Sequence, residues 1–321
     1  MIKKEPISFH PYLKTVIWGG NKICRYKGIT QTEPNIGESW EISEVPGYES
    51  IVSEGEYKGW NLTQLIREFG EELLGKRVME KYKGNFPLLV KIIDANDNLS
   101  VQVHPNDKLA KERHNCLGKT EMWYIIDSEN DAKIFSGLNR PLAPQDYIEH
   151  IKKGDFDSLL KVHDSKSGDV FFLPAGRVHA IGAGNLLAEI QESSDITYRI
   201  YDYNRKDANG NTRELHTELA KDAIDFTYQE NYKNPPLPED NENCHLVSCE
   251  HFTTKRLKIS GEMKLNLDYD SFTVLMCVKG MADLDYQNGN FQIKEGHSVL
   301  LPAVMNELTI KGKATILSTH S

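Results

Sequence analysis

The chain has little of what marks a secreted or thiolate-bound protein. Its five cysteines, Cys24, Cys116, Cys244, Cys249 and Cys277, are odd in number and form no CxxC pair. That pattern favours neither a disulfide framework nor a thiolate zinc site. Long apolar runs are also missing. No stretch approaches the roughly 20 apolar residues a membrane-spanning helix needs. The opening Met1-Ile2-Lys3-Lys4-Glu5-Pro6 leads into no apolar segment of signal-peptide type. The expectation is therefore a soluble, cytoplasmic protein with no membrane partner. Excess positive charge is absent too: 38 Lys and Arg against 47 Asp and Glu leave a net charge of −9. A nucleic-acid partner is not expected, although a local cationic pocket for an anionic metabolite remains compatible. Oligomeric state leaves no trace in the sequence.

What is present reads as a folded, mainly β protein. Hydrophobic residues make up 39% and charged residues 26% of 321 positions, ordinary values for two or three packed modules. Residues 60–83 break the β pattern: Leu62, Leu65, Ile66, Phe69, Leu73 and Leu74 recur at helical spacing, with Asn61 as cap. The run Phe86 to Ala95 is apolar enough for a strand buried on both faces. A second helical insertion is expected at 144–161, with a break at Gly154, and another helix from His216 to Phe226. Residues 228–243, which include Pro235-Pro236-Leu237-Pro238-Glu239-Asp240, read as a linker. From 244 to 321 the pattern is β throughout. One internal echo appears: Gly168 to Ala175 and Gly296 to Ala303 share a Gly-strand-Leu-Pro-Ala shape, but only the first runs on to a histidine, His179.

The chemistry concentrates in three segments, Ser100-Val101-Gln102-Val103-His104-Pro105, Lys119-Thr120-Glu121-Met122-Trp123-Tyr124 and Pro174 to His179. On a strand, Gln102 and His104 leave the same face because side chains repeat every second residue. Glu121 and His179 could close the site from neighbouring strands of a small β-barrel, giving nitrogen and oxygen donors suited to zinc or another first-row divalent ion. A lone histidine is more often a hydrogen-bonded structural residue, so the reading rests on convergence. Lys119 lies two before Glu121 and shares its side if that segment is extended. Arg199 sits in an alternating, aromatic-rich strand. Glu189, inside a largely apolar strand, needs a partner or a function because an unpaired buried charge is costly.

These segments, together with Ser194 to Asp202, Trp18-Gly19-Gly20 and Gly37 to Ser43, resemble the signatures of type I phosphomannose isomerases of the cupin superfamily. The resemblance spans roughly residues 8 to 205 and is weaker beyond the linker. It implies two cupin-type jelly-roll β-barrels with an accessory helical segment: a catalytic domain over 1–227, and a degenerate, metal-free barrel over 244–321. It further implies one Zn2+ held by Gln102, His104, Glu121 and His179, an essential arginine at Arg199, and an acidic residue at Glu189. Ser100, Lys119 and Lys91 fall on pocket positions for a phosphorylated hexose. The implied reaction is exchange between mannose 6-phosphate and fructose 6-phosphate through an enediol. A metal-free sugar-binding cupin and an iron-dependent dioxygenase are the competing classes; the four-donor set disfavours the first, and the basic pocket residues disfavour the second.

Overall fold

The computed structural model describes residues 1–206, 209–238, 243–267 and 269–321. The expected linker at 228–243 therefore lies partly outside the described residues. Strands dominate and fall into three antiparallel sheets. One sheet of six orders Val170–Leu173, Glu121–Ser128, Asn185–Glu192, Leu88–Ala95, Ile36–Ile42 and Tyr12–Gly20. Five strands, Tyr198–Tyr201, Val101–Val103, His179–Ile181, Lys133–Leu138 and Leu160–Asp164, form a second. Side chains of both meet in one apolar layer that includes Ile93, Leu99, Trp123, Ile134, Phe171 and Ile181. The mainly β, cupin-type architecture is what positions the site, since a two-layer jelly roll aims alternate residues of both sheets at a common interior.

Leu88–Ala95 shows how a continuous apolar run is used. Leu88, Val90 and Ile92 point outward into the apolar core that also holds Leu62, Leu65, Ile66 and Phe272, while Ile93 and Ala95 belong to the core between the two sheets. Both faces are covered, so no polar alternation is needed. The covering helices come as three short pieces, Leu62–Phe69, Glu71–Leu74 and Lys76–Tyr82, rather than one. Gly70 and Gly75 interrupt them with φ of 45° and 88°. A Cβ at Gly75 would lie 2.3 Å from the Asp270 carbonyl oxygen, so this break is also a close approach to the second half of the chain. Asn61 caps the first piece as expected: its Oδ1 accepts from the Gln64 N–H at 2.8 Å, and Gln64 Oε1 accepts from the Asn61 N–H at 2.8 Å. Asn61→Ala should lower unfolding free energy by about 1 kcal/mol, read from chemical denaturation, with no change in the slope against denaturant.

Helices also form at Pro144–Lys153, followed by a turn of 3₁₀ helix at Phe156–Leu159, and at Thr217–Ala223. In this segment Tyr147 and Phe156 are buried and Ile148 is exposed. Two more helices, Lys22–Lys27 and Asp107–His114, stand where no helix was expected. The first is only six residues long, and the second buries nothing but Ala110, so neither leaves a periodic apolar signature.

The third sheet holds the long strands Thr253–Asn266, Thr273–Tyr286 and Glu307–His320 around a second apolar core. Ile7–His10 and Ile51–Val52 also join it, Ile7 pairing with Leu300. The internal echo is structural: Gly168 and Gly296, with φ of 90° and 79°, each lead into a strand ending at a Leu-Pro turn. Where the first copy continues to His179, the second continues to Met305, packed in the second core. Within the expected linker, Tyr232 is buried, its ring lying against Gly137 and its hydroxyl accepting from the N–H groups of Leu138 and Gln229. No helix among the described residues is long and apolar enough to cross a membrane.

Candidate functional site

Register builds the site. Gln102 stands directly opposite His179 on one side and Arg199 on the other, so the three side chains leave one face of the five-stranded sheet in a row. His104 follows two residues after Gln102, on the same side. Its Nδ1 lies 2.9 Å from the Ile196 carbonyl, and His179 Nδ1 lies 2.9 Å from the Arg177 carbonyl. A carbonyl can only accept, so both rings carry their proton on Nδ1 and present the Nε2 lone pair inward.

Glu121 meets them from the facing sheet. Its Oε1 is 3.2 Å from His179 Nε2 and its Oε2 is 3.6 Å from His104 Nε2. All three residues are buried, and the two carboxylate oxygens and His104 Nε2 have no hydrogen-bond partner. Donor atoms of the three converge within 4.8 Å. Buried polar atoms left unpaired are costly, and the spacing explains them. A cation held at about 2.0–2.2 Å from each donor makes donor–donor edges of about 3.3 Å, which the observed distances bracket. Burial pushes the Glu121 carboxyl up to about 8, the nearby Glu189 adding to it, and drives His179 down to about 4 and His104 well below its ordinary range. Alone, the cluster is driven toward neutrality by burial; a divalent cation is the species that restores the carboxylate. The donor set fits a metal. Gln102 Nε2 lies 3.2 Å from His179 Nε2, and its Oε1 accepts from Ser100 Oγ at 3.4 Å. A half-turn of the amide presents the oxygen to the cluster instead.

Above this cluster opens a cavity of about 350 Å³ lined by Lys91, Ser100, Gln102, Lys119, Glu189 and Arg199. Gln102 belongs to both cavity and cluster, while Lys119 Nζ reaches down to 3.8 Å from Glu121 Oε2. Glu189, opposite both Lys91 and Trp123 in register, pairs with Lys91 Nζ at 3.1 Å and accepts from Trp123 Nε1 at 2.8 Å. Burial alone would raise its pKa, but Lys91 and Lys119 outweigh it and hold the carboxylate below its ordinary value. Lys91 is correspondingly raised by Glu189 and Glu38 against the burial that lowers it, whereas burial and Lys91 lower Lys119. Arg199 Nη1 donates to the Glu214 carbonyl at 2.9 Å, and its buried Nε has no partner.

All nine residues singled out in the sequence thus gather here: His104, Glu121 and His179 in the cluster, the other six around the cavity. Several neighbours were not singled out. Trp123 and Glu38 hold Glu189 and Lys91, and Arg213 shares the cavity wall. Trp123 lies two after Glu121 on one strand, a same-face signal that was readable; Arg213 follows an irregular turn and had none. His216 accepts the Arg199 N–H through Nδ1 at 3.2 Å.

Comparison with known proteins points to one family. A family model described as phosphomannose isomerase type I, catalytic domain, matches residues 7–136, and one described as mannose-6-phosphate isomerase, cupin domain, matches 242–321. The chain is 36% identical to mannose-6-phosphate isomerase ManA of Bacillus subtilis over 98% of its own length and 99% of that protein's. It is 35% identical to the mannose-6-phosphate isomerase of Streptococcus mutans, covering 99% and 98%. The crystal structure of a Bacillus subtilis mannose 6-phosphate isomerase superposes with a TM-score of 0.88 at 34% identity, covering 98% of this chain and 99% of that one.

Proposed function

The chain belongs to the type I phosphomannose isomerase family, and on that premise we propose that it interconverts mannose 6-phosphate and fructose 6-phosphate through a cis-enediol. The observation that carries the reading is the His104–Glu121–His179 cluster, with its orphaned buried atoms, set beneath a cavity walled by lysines and an arginine. Gln102, His104, Glu121 and His179 would hold one zinc ion, which when bound supplies Lewis-acid polarisation of a sugar oxygen. Iron, cobalt and manganese accept the same donors. Residues 1–227 carry the site in this reading, and the apolar interior of the 244–321 barrel supports a scaffold role.

Aldose–ketose exchange moves a proton between C1 and C2 and needs positive charge where the enediolate oxygen forms. Arg199, in register beside Gln102, supplies that charge permanently. Ser100 and Lys91 hold phosphate or hydroxyl oxygens of the substrate. Proton movement falls to Lys119 or Glu189, and their surroundings differ. Both oxygens of Glu189 are engaged, by Lys91 and Trp123, whereas Lys119 has one distant partner and free N–H groups. We assign Lys119 the mobile proton and Glu189 the counter-charge. Lys119→Met should therefore abolish solvent deuterium exchange at C2, while Glu189→Gln slows it about tenfold; the reverse order exchanges the two roles.

The overall reading is tested by coupled assay of fructose 6-phosphate formation from mannose 6-phosphate. Chelation should remove turnover and zinc should restore it. Undiminished turnover in metal-free protein would sink the metal assignment, and no turnover with any divalent metal would sink the activity.

A further inference from the structure

A second convergence of donors lies outside the cavity. Glu192, the last residue of strand Asn185–Glu192, is 1% exposed. Its Oε2 accepts the Thr120 N–H at 2.6 Å, while Oε1 has no hydrogen bond and lies 3.1 Å from His251 Nδ1. Asp107, the first residue of helix Asp107–His114, completes the group, and donor atoms of all three lie within 4.8 Å of one another. His251 comes from the turn between strands Asn243–Ser248 and Thr253–Asn266, in the second half of the chain. Three remote segments thus bring two carboxyl groups and an imidazole together around a buried, unpaired oxygen.

The group lacks internal charge balance. Burial lowers the pKa of His251. Burial, with Asp107 adding to it, raises Glu192 to about 8. The nearby Lys81 ammonium is engaged with the Glu250 carbonyl. A proton shared by the two carboxyls or a bound cation would each supply positive charge. Only the cation also uses the imidazole, because the 3.1 Å contact of His251 Nδ1 with Glu192 Oε1 is not aligned as a hydrogen bond yet matches an edge of a coordination shell with donors at about 2.0–2.2 Å.

We propose that Asp107, Glu192 and His251 form a second divalent-cation site, distinct from the catalytic cluster and suited to a first-row ion accepting mixed nitrogen and oxygen donors. It ties the second barrel to the catalytic one. Through the bond from Glu192 to the Thr120 N–H, it also fixes the peptide immediately before Glu121.

The test is cobalt(II) binding to the chelator-stripped full chain, followed by calorimetry and visible absorption. Two equivalents per chain are expected in the parent, one in Asp107→Asn and one in His251→Ala. A His104→Ala/His179→Ala variant should keep one equivalent and lose it when Asp107→Asn is added. Asp107 is exposed, and asparagine retains the oxygen that accepts the Gly118 N–H, so this variant folds even if the His251 change does not. One equivalent in the parent, or two in both single variants, overturns the site. A His104→Ala/His179→Ala variant that binds no cobalt overturns it as well, because this site is expected to persist without the catalytic cluster.

Discussion

Glu121→Gln should weaken zinc binding to the stripped protein at least a hundredfold and reduce turnover of mannose 6-phosphate more than a thousandfold at limiting metal. Of the four proposed ligands, Glu121 alone is anionic, and an amide is a poor substitute where a divalent ion enters a dry interior. The pH dependence is as informative as the loss. In the stripped protein the Glu121 carboxyl is pushed up to about 8 by burial and Glu189, so below that pH an incoming ion must displace its proton. Affinity should rise with pH up to about 8, with release of about one proton per ion, measured by calorimetry in buffers of different ionisation enthalpy. His179, at about 4, is already neutral and contributes nothing over that range. The sign for folding is opposite. A carboxyl whose folded pKa is raised contributes stability that is full below its unfolded value of about 4.3 and is lost as pH climbs through the folded one. Stripped parent protein should therefore lose stability between about pH 4.3 and 8, and stripped Glu121→Gln should lose less. Parent-like zinc affinity in Glu121→Gln would remove the carboxylate from the ligand set.

The period-2 rule placed Gln102 and His104 on one face; Gln102 lies on strand Val101–Val103, His104 stands just past its end, and both side chains meet His179. The both-faces burial of Leu88–Ala95 and the Asn61 cap were legible for the same reason: each depends on residues a few positions apart. Pairing between distant strands is another matter. That Gln102 lies between His179 and Arg199 is a fact of register across three strands, and nothing local in those segments encodes it. The family resemblance supplied what local pattern did not. Where neither pattern nor resemblance spoke, features were missed. The polar helix Asp107–His114 buries too little to show a period, Ile7–His10 pairs with a sheet formed almost three hundred residues later, and Glu192 meets His251 only because two barrels pack together. Glu189 was recognised as a buried charge needing company; its partners Lys91 and Trp123 are its cross-strand neighbours, visible once the sheet order is known.

Arg199→Ala should lower kcat by a hundred- to a thousandfold with a much smaller change in KM, the range found when one preorganised donor to a developing oxyanion is removed. Arg199 is anchored at both ends: its N–H bonds to His216 and its Nη1 to the Glu214 carbonyl, leaving the buried Nε and the remaining guanidinium face toward the cavity. Burial and neighbouring Arg213 lower its pKa, yet a guanidinium stays charged in any protein at neutral pH. Its charge is therefore present before substrate arrives and needs no reorganisation as the enediolate forms. Lysine carries the same charge without the planar fork, so Arg199→Lys should recover only part of the loss, and added guanidinium ion should rescue Arg199→Ala more than Arg199→Lys. Metal content should stay at the parent level in both variants, because Arg199 contributes no donor. A KM effect with kcat intact would make Arg199 a binding residue for ground-state phosphate instead. Loss of metal along with kcat would mean that the row Arg199, Gln102, His179 acts through the position of Gln102 rather than through its own charge.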